Sequence, residues 1–290
     1  MRPDLIARFM TPDGSFRILV ARATESVRTG CSVARSEPGV SEVLGDLLVG
    51  GALLQHAQGP AERFQLQLDH EGTAGVMLVD VRFGPLVRGR VEHPRPSERP
   101  GSPPGAPAFA EPAVVTVSRF PDASMNTGRT AYRSRAPTQG GRIDAALQQY
   151  VLESEQVLTL FSLVTDPAGE GDVRVSGGFI VQALPGWERD QLAVITRCLE
   201  TQDYRRLVLD GADPVDAALT IFEPLALRHL GSDILAYKCR CSKEAAVRMI
   251  GLLSPEERGA IAAGGTETVV CEFCGTSYPV SAPDLIALAN

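Results

Sequence analysis

The chain has 290 residues, 44% of them hydrophobic, with mean hydropathy +0.00 and a formal net charge of −7. That is enough apolar material for one large domain and a small one, and an acid balance unlike that of proteins that grip polyanions, because phosphate contacts need a basic surface. No apolar run reaches the roughly 20 residues of a membrane-spanning helix, and the start Met1-Arg2-Pro3-Asp4 lacks a signal-peptide pattern. The expectation is a cytoplasmic protein with no nucleic-acid and no membrane partner.

In Ser15-Phe16-Arg17-Ile18-Leu19-Val20, the alternation of Phe16, Ile18 and Val20 after the turn-like Pro12-Asp13-Gly14 predicts an edge strand, with a helix from Thr24. Cys31, in an expected loop past Gly30, stands alone and reads as a small buried hydrophobe. From Ser41 onward, Val43, Leu44, Leu47, Leu48, Gly51 and Leu54 recur at helical spacing, with Ser41 as N-cap. Gly45, Gly50 and Gly51 lower helix propensity there, so close backbone packing is expected. His56 has no ligand-spaced partner and reads as a surface or capping residue.

The period then changes to two. Phe64, Leu66 and Leu68, then Gly75 to Asp80 and Leu86 to Val91, predict a three-stranded antiparallel meander packed under the preceding helix. The proline-rich stretch 94–112 reads as an exposed insertion, 113–118 as a strand, and 124–141 as a solvated surface containing Arg129, Arg133 and Arg135. A helix is expected over Ile143–Glu155. Strands follow at Leu158–Val164 and Val173–Leu184, with a turn at Asp166-Pro167. Strands, helix, strands without a βαβ rhythm make residues 1–184 an α+β domain of antiparallel sheet and helix layers.

Beyond Leu184-Pro185-Gly186 the chain turns helical. Leu192, Ile195, Cys198, Leu199 and Leu207 give Trp187–Leu209 one apolar face, and Asp213-Pro214 starts another helix. Residues 185–231 are too few for a core of their own, so this helical linker must pack on something else. Residues 232–290 read as a small C-terminal domain of two helices and a cysteine hairpin. Its helix Lys243–Leu253 is followed by a capping box at Ser254-Pro255-Glu256-Glu257, and Gly264-Gly265 ends the second helix.

Four of the six cysteines fall in this last segment, as Cys239-Arg240-Cys241 and Cys271-Glu272-Phe273-Cys274, with 29 residues between the pairs. Two short-spaced pairs joined by a compact insert bring four thiolates round one tetrahedral zinc. Gly275 suits the left-handed position that ends such a knuckle. Lys238 and Arg240 should favour thiolate, which is both the ligand and the oxidant-reactive form. Three readings of the cysteines stay open: a redox-sensitive zinc latch, a thiol–disulfide oxidoreductase using Cys271-Glu272-Phe273-Cys274, and a zinc-ribbon interaction module. Five Lys/Arg against seven Asp/Glu over 232–290 speak against a polyanion-binding ribbon. No phosphate-binding glycine motif and no catalytic residues are apparent, so no enzymatic turnover is expected.

The chain resembles the heat-shock protein 33 family of redox-regulated chaperones. The likeness rests on Cys239-Arg240-Cys241-Ser242-Lys243-Glu244 and on Cys271-Glu272-Phe273-Cys274-Gly275 with Tyr278. It extends to Tyr150-Val151-Leu152-Glu153-Ser154-Glu155-Gln156 and to Gly177-Gly178-Phe179-Ile180-Val181-Gln182-Ala183-Leu184-Pro185-Gly186. The resemblance implies an ATP-independent holdase, inactive while Cys239, Cys241, Cys271 and Cys274 bind one zinc. Oxidation would form the disulfides Cys239–Cys241 and Cys271–Cys274, release zinc, unfold the C-terminal domain and linker, and expose a surface for unfolding client proteins. It also implies a homodimer when oxidised.

Overall fold

The computed structural model describes residues 3–59, 62–92, 107–121, 131–201, 203–263 and 265–288. Most of the proline-rich stretch (94–106), residues 124–130 with Arg129, and Gly264 lie outside them. The chain divides into two compact units, residues 1–237 and 238–290.

The first unit contains two sheets. In the five-stranded sheet the order is β10-β1-β2-β9-β8, built from β1 (Leu5–Met10), β2 (Phe16–Arg22), β8 (Thr159–Gly169), β9 (Asp172–Ala183) and β10 (Arg228–Ile234), every neighbour antiparallel. The six-stranded sheet runs β11-β5-β4-β3-β6-β7, from β3 (Glu62–His70), β4 (Met77–Arg82), β5 (Leu86–Val91), β6 (Ala113–Pro121), β7 (Tyr132–Pro137) and β11 (Ala236–Tyr237), with only β11 parallel to its neighbour. The expected meander is β3-β4-β5, in continuous register.

Helix α1 (Thr24–Ala34) and helix α2 (Pro38–Gln58) pack with these sheets in one apolar core, which takes Leu66, Val79 and Val81 from the meander and Leu19, Leu163 and Ile180 from the other sheet. Side chains round most of α2 are buried, which its many apolar residues and small glycines permit. A Cβ on Gly45 would stand 2.5 Å from Thr165 Oγ1, on Gly50 2.4 Å from Leu147 Cδ1, and on Gly51 3.0 Å from Val81 Cγ2. The close packing expected from these glycines is there, against both sheets.

Several expectations change. The strand at Phe16 is interior, because β1, unread in the sequence, covers the side away from β9. Cys31 sits inside α1 and is fully buried, as a small hydrophobe should be, but not in a loop. Helix α2 begins at Pro38; Ser41 is in its first turn and exchanges a 2.7 Å hydrogen bond with Ser36. The His56 side chain is only 5% exposed, its Nε2 3.2 Å from Asp233 on β10. Asp166-Pro167 is a bulged part of edge strand β8, where proline is tolerated, and not a turn. Part of 124–141 is β7, paired to β6. The end of the proline-rich stretch packs inward: Pro107, Ala108 and Ala110 carbonyls accept from Thr73, Ala74 and Glu71, and Phe109 lies 5.0 Å from the His70 ring. The helix from Ile143 is α3 (Ile143–Tyr150), which widens into a π-turn at Val151–Glu155 and ends at left-handed Gln156.

The segment after residue 185 splits into α4 (Arg189–Thr201), α5 (Tyr204–Leu209) and α6 (Pro214–Ile221). The break comes at Asp203, whose carboxylate caps α5 by accepting from the Arg206 N–H; Asp213 caps α6 the same way from Val215. Their buried residues Ile195, Cys198, Tyr204, Val208, Ala218 and Ile221, with Phe222, form a second core against Ala7, Phe9, Phe16, Ile18, Val20, Phe179 and Val181 of the five-stranded sheet. Phe179 stands edge-on to Tyr204 at 4.5 Å and to Phe222 at 6.1 Å. What reads as a connection at 224–231 ends in β10, and the chain stays in the first unit through β11, six residues past the sequence boundary at 231. Strand pairing draws the boundary there: Arg228-His229-Leu230-Gly231-Ser232-Asp233-Ile234 has no period of two, and its β state comes from its neighbour.

The second unit holds α7 (Lys243–Ile250), α8 (Pro255–Ala262), the hairpin β12 (Thr266–Val270) and β13 (Ser277–Ser281), and α9 (Ala282–Leu288). The capping box forms in both directions: the Glu257 N–H donates to Ser254 Oγ at 3.2 Å, and the Ser254 N–H to Glu257 Oε2 at 2.9 Å. The cysteine hairpin is the one expected there; α9 was not expected. Among the described residues its core is Ala246, Val247, Ile250, Ile261 and Val280, far too few to hold a domain of this size without a staple.

Candidate metal centre

Cys239 and Cys241 lie just before Ser242, whose hydroxyl caps α7 by accepting from the Ala245 N–H at 3.2 Å. Cys271 and Cys274 occupy the turn between β12 and β13. The Cys271 carbonyl accepts from Cys274 (3.3 Å) and Gly275 (2.8 Å), and the Cys271 N–H donates to the Thr276 carbonyl at 2.9 Å. Gly275 has φ +70°, the left-handed geometry its place in the sequence predicts. These bonds aim both sulfurs of the turn to one side, and the hairpin register holds the turn in place.

The four sulfurs converge. All lie within 4.8 Å of one another, each on a half-buried residue, an arrangement that can hold one metal ion. Two of the separations run between the pairs, Cys239–Cys271 at 3.5 Å and Cys241–Cys274 at 3.3 Å. Tyr278 donates its hydroxyl to Cys241 Sγ at 3.1 Å, and Thr276 Oγ1 lies 3.2 Å from Cys274 Sγ.

Such crowding prevents the thiols from ionising alike. Burial pushes Cys271 up to about 12, helped by the sulfurs beside it. Cys241 is lowered most by the Tyr278 hydroxyl, but burial and its sulfur neighbours raise it overall. Burial also raises Cys274, yet hydrogen bonds from Thr276 and shared ones from Cys241 and Cys239 outweigh it and bring that thiol down to about 6. Hydrogen bonds and burial dominate here, ahead of the charges of Lys238 and Arg240 on which the sequence reading relied. A bound cation would resolve the mutual repulsion, since four thiolates around one positive centre no longer repel uncompensated.

All four sequence-predicted ligands meet. His229, the histidine nearest them in sequence, belongs to β10 and has its Nε2 3.1 Å from Ser232 Oγ. The supporting groups Tyr278 and Thr276 were missed as such. Their signal is the hairpin register, in which Tyr278 faces Val269 across from the cysteine turn. The Cys271–Cys274 pair sits in a hairpin turn and does not open a helix, unlike a thioredoxin-type pair. Among the described residues, no helix is long and apolar enough to cross a membrane.

Comparison with known proteins gives one consistent answer. The family model described as Hsp33 protein matches residues 4–281. The chain is 31% identical over 296 residues to the 33 kDa chaperonin of Thermus thermophilus, covering 98% of this chain and 86% of that protein. It is 28% identical to the 33 kDa chaperonin of Syntrophotalea carbinolica, covering 98% and 99%. The crystal structure of the 33 kDa chaperonin (heat shock protein 33 homolog) of Thermotoga maritima superposes with a TM-score of 0.81 at 25% identity, covering 99% of this chain and 98% of that one.

Proposed function

The chain belongs to the Hsp33 family of chaperones, and on that premise we propose that it is a cytoplasmic, redox-regulated, ATP-independent holdase without enzymatic turnover. Its resident metal is zinc, held by Cys239, Cys241, Cys271 and Cys274. Zinc bonds of about 2.3 Å to four tetrahedral sulfurs set those sulfurs about 3.8 Å apart, compatible with four ligand atoms all within 4.8 Å. Bound there, it supplies the folding energy that five buried apolar side chains cannot.

Oxidation joins Cys239 to Cys241 and Cys271 to Cys274. Each new S–S bond takes two electrons from a thiolate pair, and one peroxide with two protons is reduced to two waters. All four ligands are lost together. Residues 238–290 then unfold, and the docked segment 185–231 undocks in turn. Undocking of α4–α6 uncovers Ala7, Phe9, Phe16, Ile18, Val20, Phe179 and Val181, a sheet face that can hold apolar segments of unfolding clients. The oxidised chain forms a homodimer.

The observation that carries this reading is the placement of four half-buried, mutually close cysteines in a unit with so small a core. The test is zinc content measured beside suppression of client aggregation, before and after peroxide at mild heat. Zinc loss together with new holding activity supports the proposal; zinc loss without holding, or no zinc loss, refutes it. Sulfurs 3.5 and 3.3 Å apart across the pairs also allow a second connectivity, Cys239–Cys271 and Cys241–Cys274. Once the unit has unfolded, loop-closure entropy favours the short loops within each pair instead. Peptide mapping of the oxidised protein decides between them.

A further inference from the structure

Strand β10 is the outermost strand of the five-stranded sheet, and it is held in an unusual way. None of its seven residues is buried, and Leu230 and Ile234 are 46% and 61% exposed. It puts no side chain into either apolar core of the first unit. What fixes it is main-chain pairing with β1, Asp233 between Arg8 Nε (3.0 Å) and His56 Nε2 (3.2 Å), and the His229 ring 5.0 Å from Phe9. Even that pairing is interrupted, because Leu230 is skipped between Arg8↔Gly231 and Phe9↔His229.

Its partner β1 is the opposite kind of strand, with Ile6, Ala7 and Phe9 fully buried. The Thr11 N–H donates to the Phe16 carbonyl, and the Leu235 N–H to the Asp4 carbonyl. Main-chain groups alternate sides along an antiparallel strand. Leu5, Ala7 and Phe9 therefore bond toward β2, whereas Ile6 and Arg8 bond toward β10. Ala7 and Phe9 also belong to the core covered by α5 and α6.

We propose that β1 is a strand-addition site for unfolded clients, and that β10 is the chain's own stand-in for the client strand. This rests on the switch described above. When α4–α6 undock, β10 loses the anchor at its N-terminal end and peels away, leaving the Ile6 and Arg8 main-chain groups unpaired. A client segment that adds there gains main-chain hydrogen bonds at the edge while its alternate side chains lie on the uncovered face beside Ala7 and Phe9. Main-chain pairing is blind to side-chain identity, which suits a holder of many sequences, and alternation of apolar and polar residues is what such a segment would be selected for.

The test is residue-resolved amide exchange on the full-length chain, reduced, oxidised, and oxidised with a synthetic peptide of strictly alternating valine and serine. Holding of an aggregating client is assayed on the same samples. Ile6 and Arg8 amides should be protected when reduced, exchange at least tenfold faster when oxidised, and regain protection with the peptide. Ala7 and Phe9 amides should stay protected throughout. A peptide of sequence Arg228–Ile234 should compete with the client, and a proline-interrupted version of the alternating peptide should not bind. If the oxidised protein holds client while Ile6 and Arg8 either never lose protection or never regain it, the edge is not the site. If the oxidised protein holds nothing, it is the holdase reading that fails.

Discussion

Tyr278 and Asp46 show how much single side chains decide in this protein. The Tyr278 hydroxyl donates to Cys241 and steadies that thiolate; the same bond and the surrounding sulfurs push its own phenol up to about 12. Tyr278→Phe keeps the ring and removes the donor, so metal affinity should fall about 10- to 100-fold, as for other supporting groups of metal ligands, in a chelator competition titration. Asp46 accepts from Thr165 Oγ1 at 2.9 Å at the contact of α2 with β8. Desolvation there pushes its carboxyl up to about 7, against an ordinary 3.8. Between those two values the folded chain binds a proton that the unfolded chain does not, so this residue's contribution to stability falls as pH rises from about 4 to about 7. Asp46→Asn should remove that slope and gain most, relative to the parent, above pH 7; urea midpoints across the range measure it. Neither role could be read from the sequence, because both depend on what the fold brings alongside. Cys31 and Cys198 were legible as buried hydrophobes, since a lone cysteine has no other local use.

At the scale of elements, α2 and the docked helices make opposite demands on packing. In α2 the glycines admit two sheets at van der Waals distance, so Gly45→Ala forces a methyl to 2.5 Å from Thr165 Oγ1 and 2.9 Å from Val27 Cγ1. The cost should be about 1–3 kcal/mol despite the gain in helix propensity, seen as a lowered thermal midpoint of the first unit. Among α4–α6, the Tyr204 hydroxyl is buried with no hydrogen-bond partner among the described residues, and burial raises its pKa well above the usual phenol range. An orphaned buried hydroxyl costs about 1–3 kcal/mol, so the helix that must detach carries a built-in weakness. Tyr204→Phe should tighten docking by roughly 1 kcal/mol, slowing amide exchange across 189–221 and raising the temperature at which oxidant activates the chain. The helix α2, the β3-β4-β5 meander and the capping box of α8 were legible because each is specified by its own spacing. Strands β1, β7 and β10 were not, since short or polar strands take their state from neighbours distant in sequence.

For the whole molecule, the two compact units should respond differently to loss of metal. A strong chelator added to the reduced protein should unfold residues 238–290, whose described core is five small or medium apolar side chains, while leaving the α1, α2 and sheet core of the first unit folded. Near-native protection of Leu48, Phe64 and Val79 amides alongside rapid exchange at Val247 and Val280 would bear this out; cooperative loss of both sets would contradict it. The sequence by itself determined the chemistry: the identity and spacing of the four cysteines, the acidic charge balance, the α+β character and an amphipathic segment in need of a partner. These follow from spacing and composition, which act over a few residues. Tertiary structure decided that this segment lies on one face of the five-stranded sheet, that β10 closes its edge, and that Tyr278 and Thr276 attend the sulfurs. Those facts depend on contacts between residues as far apart as Phe9 and His229, and no local pattern encodes which distant strand a segment will meet.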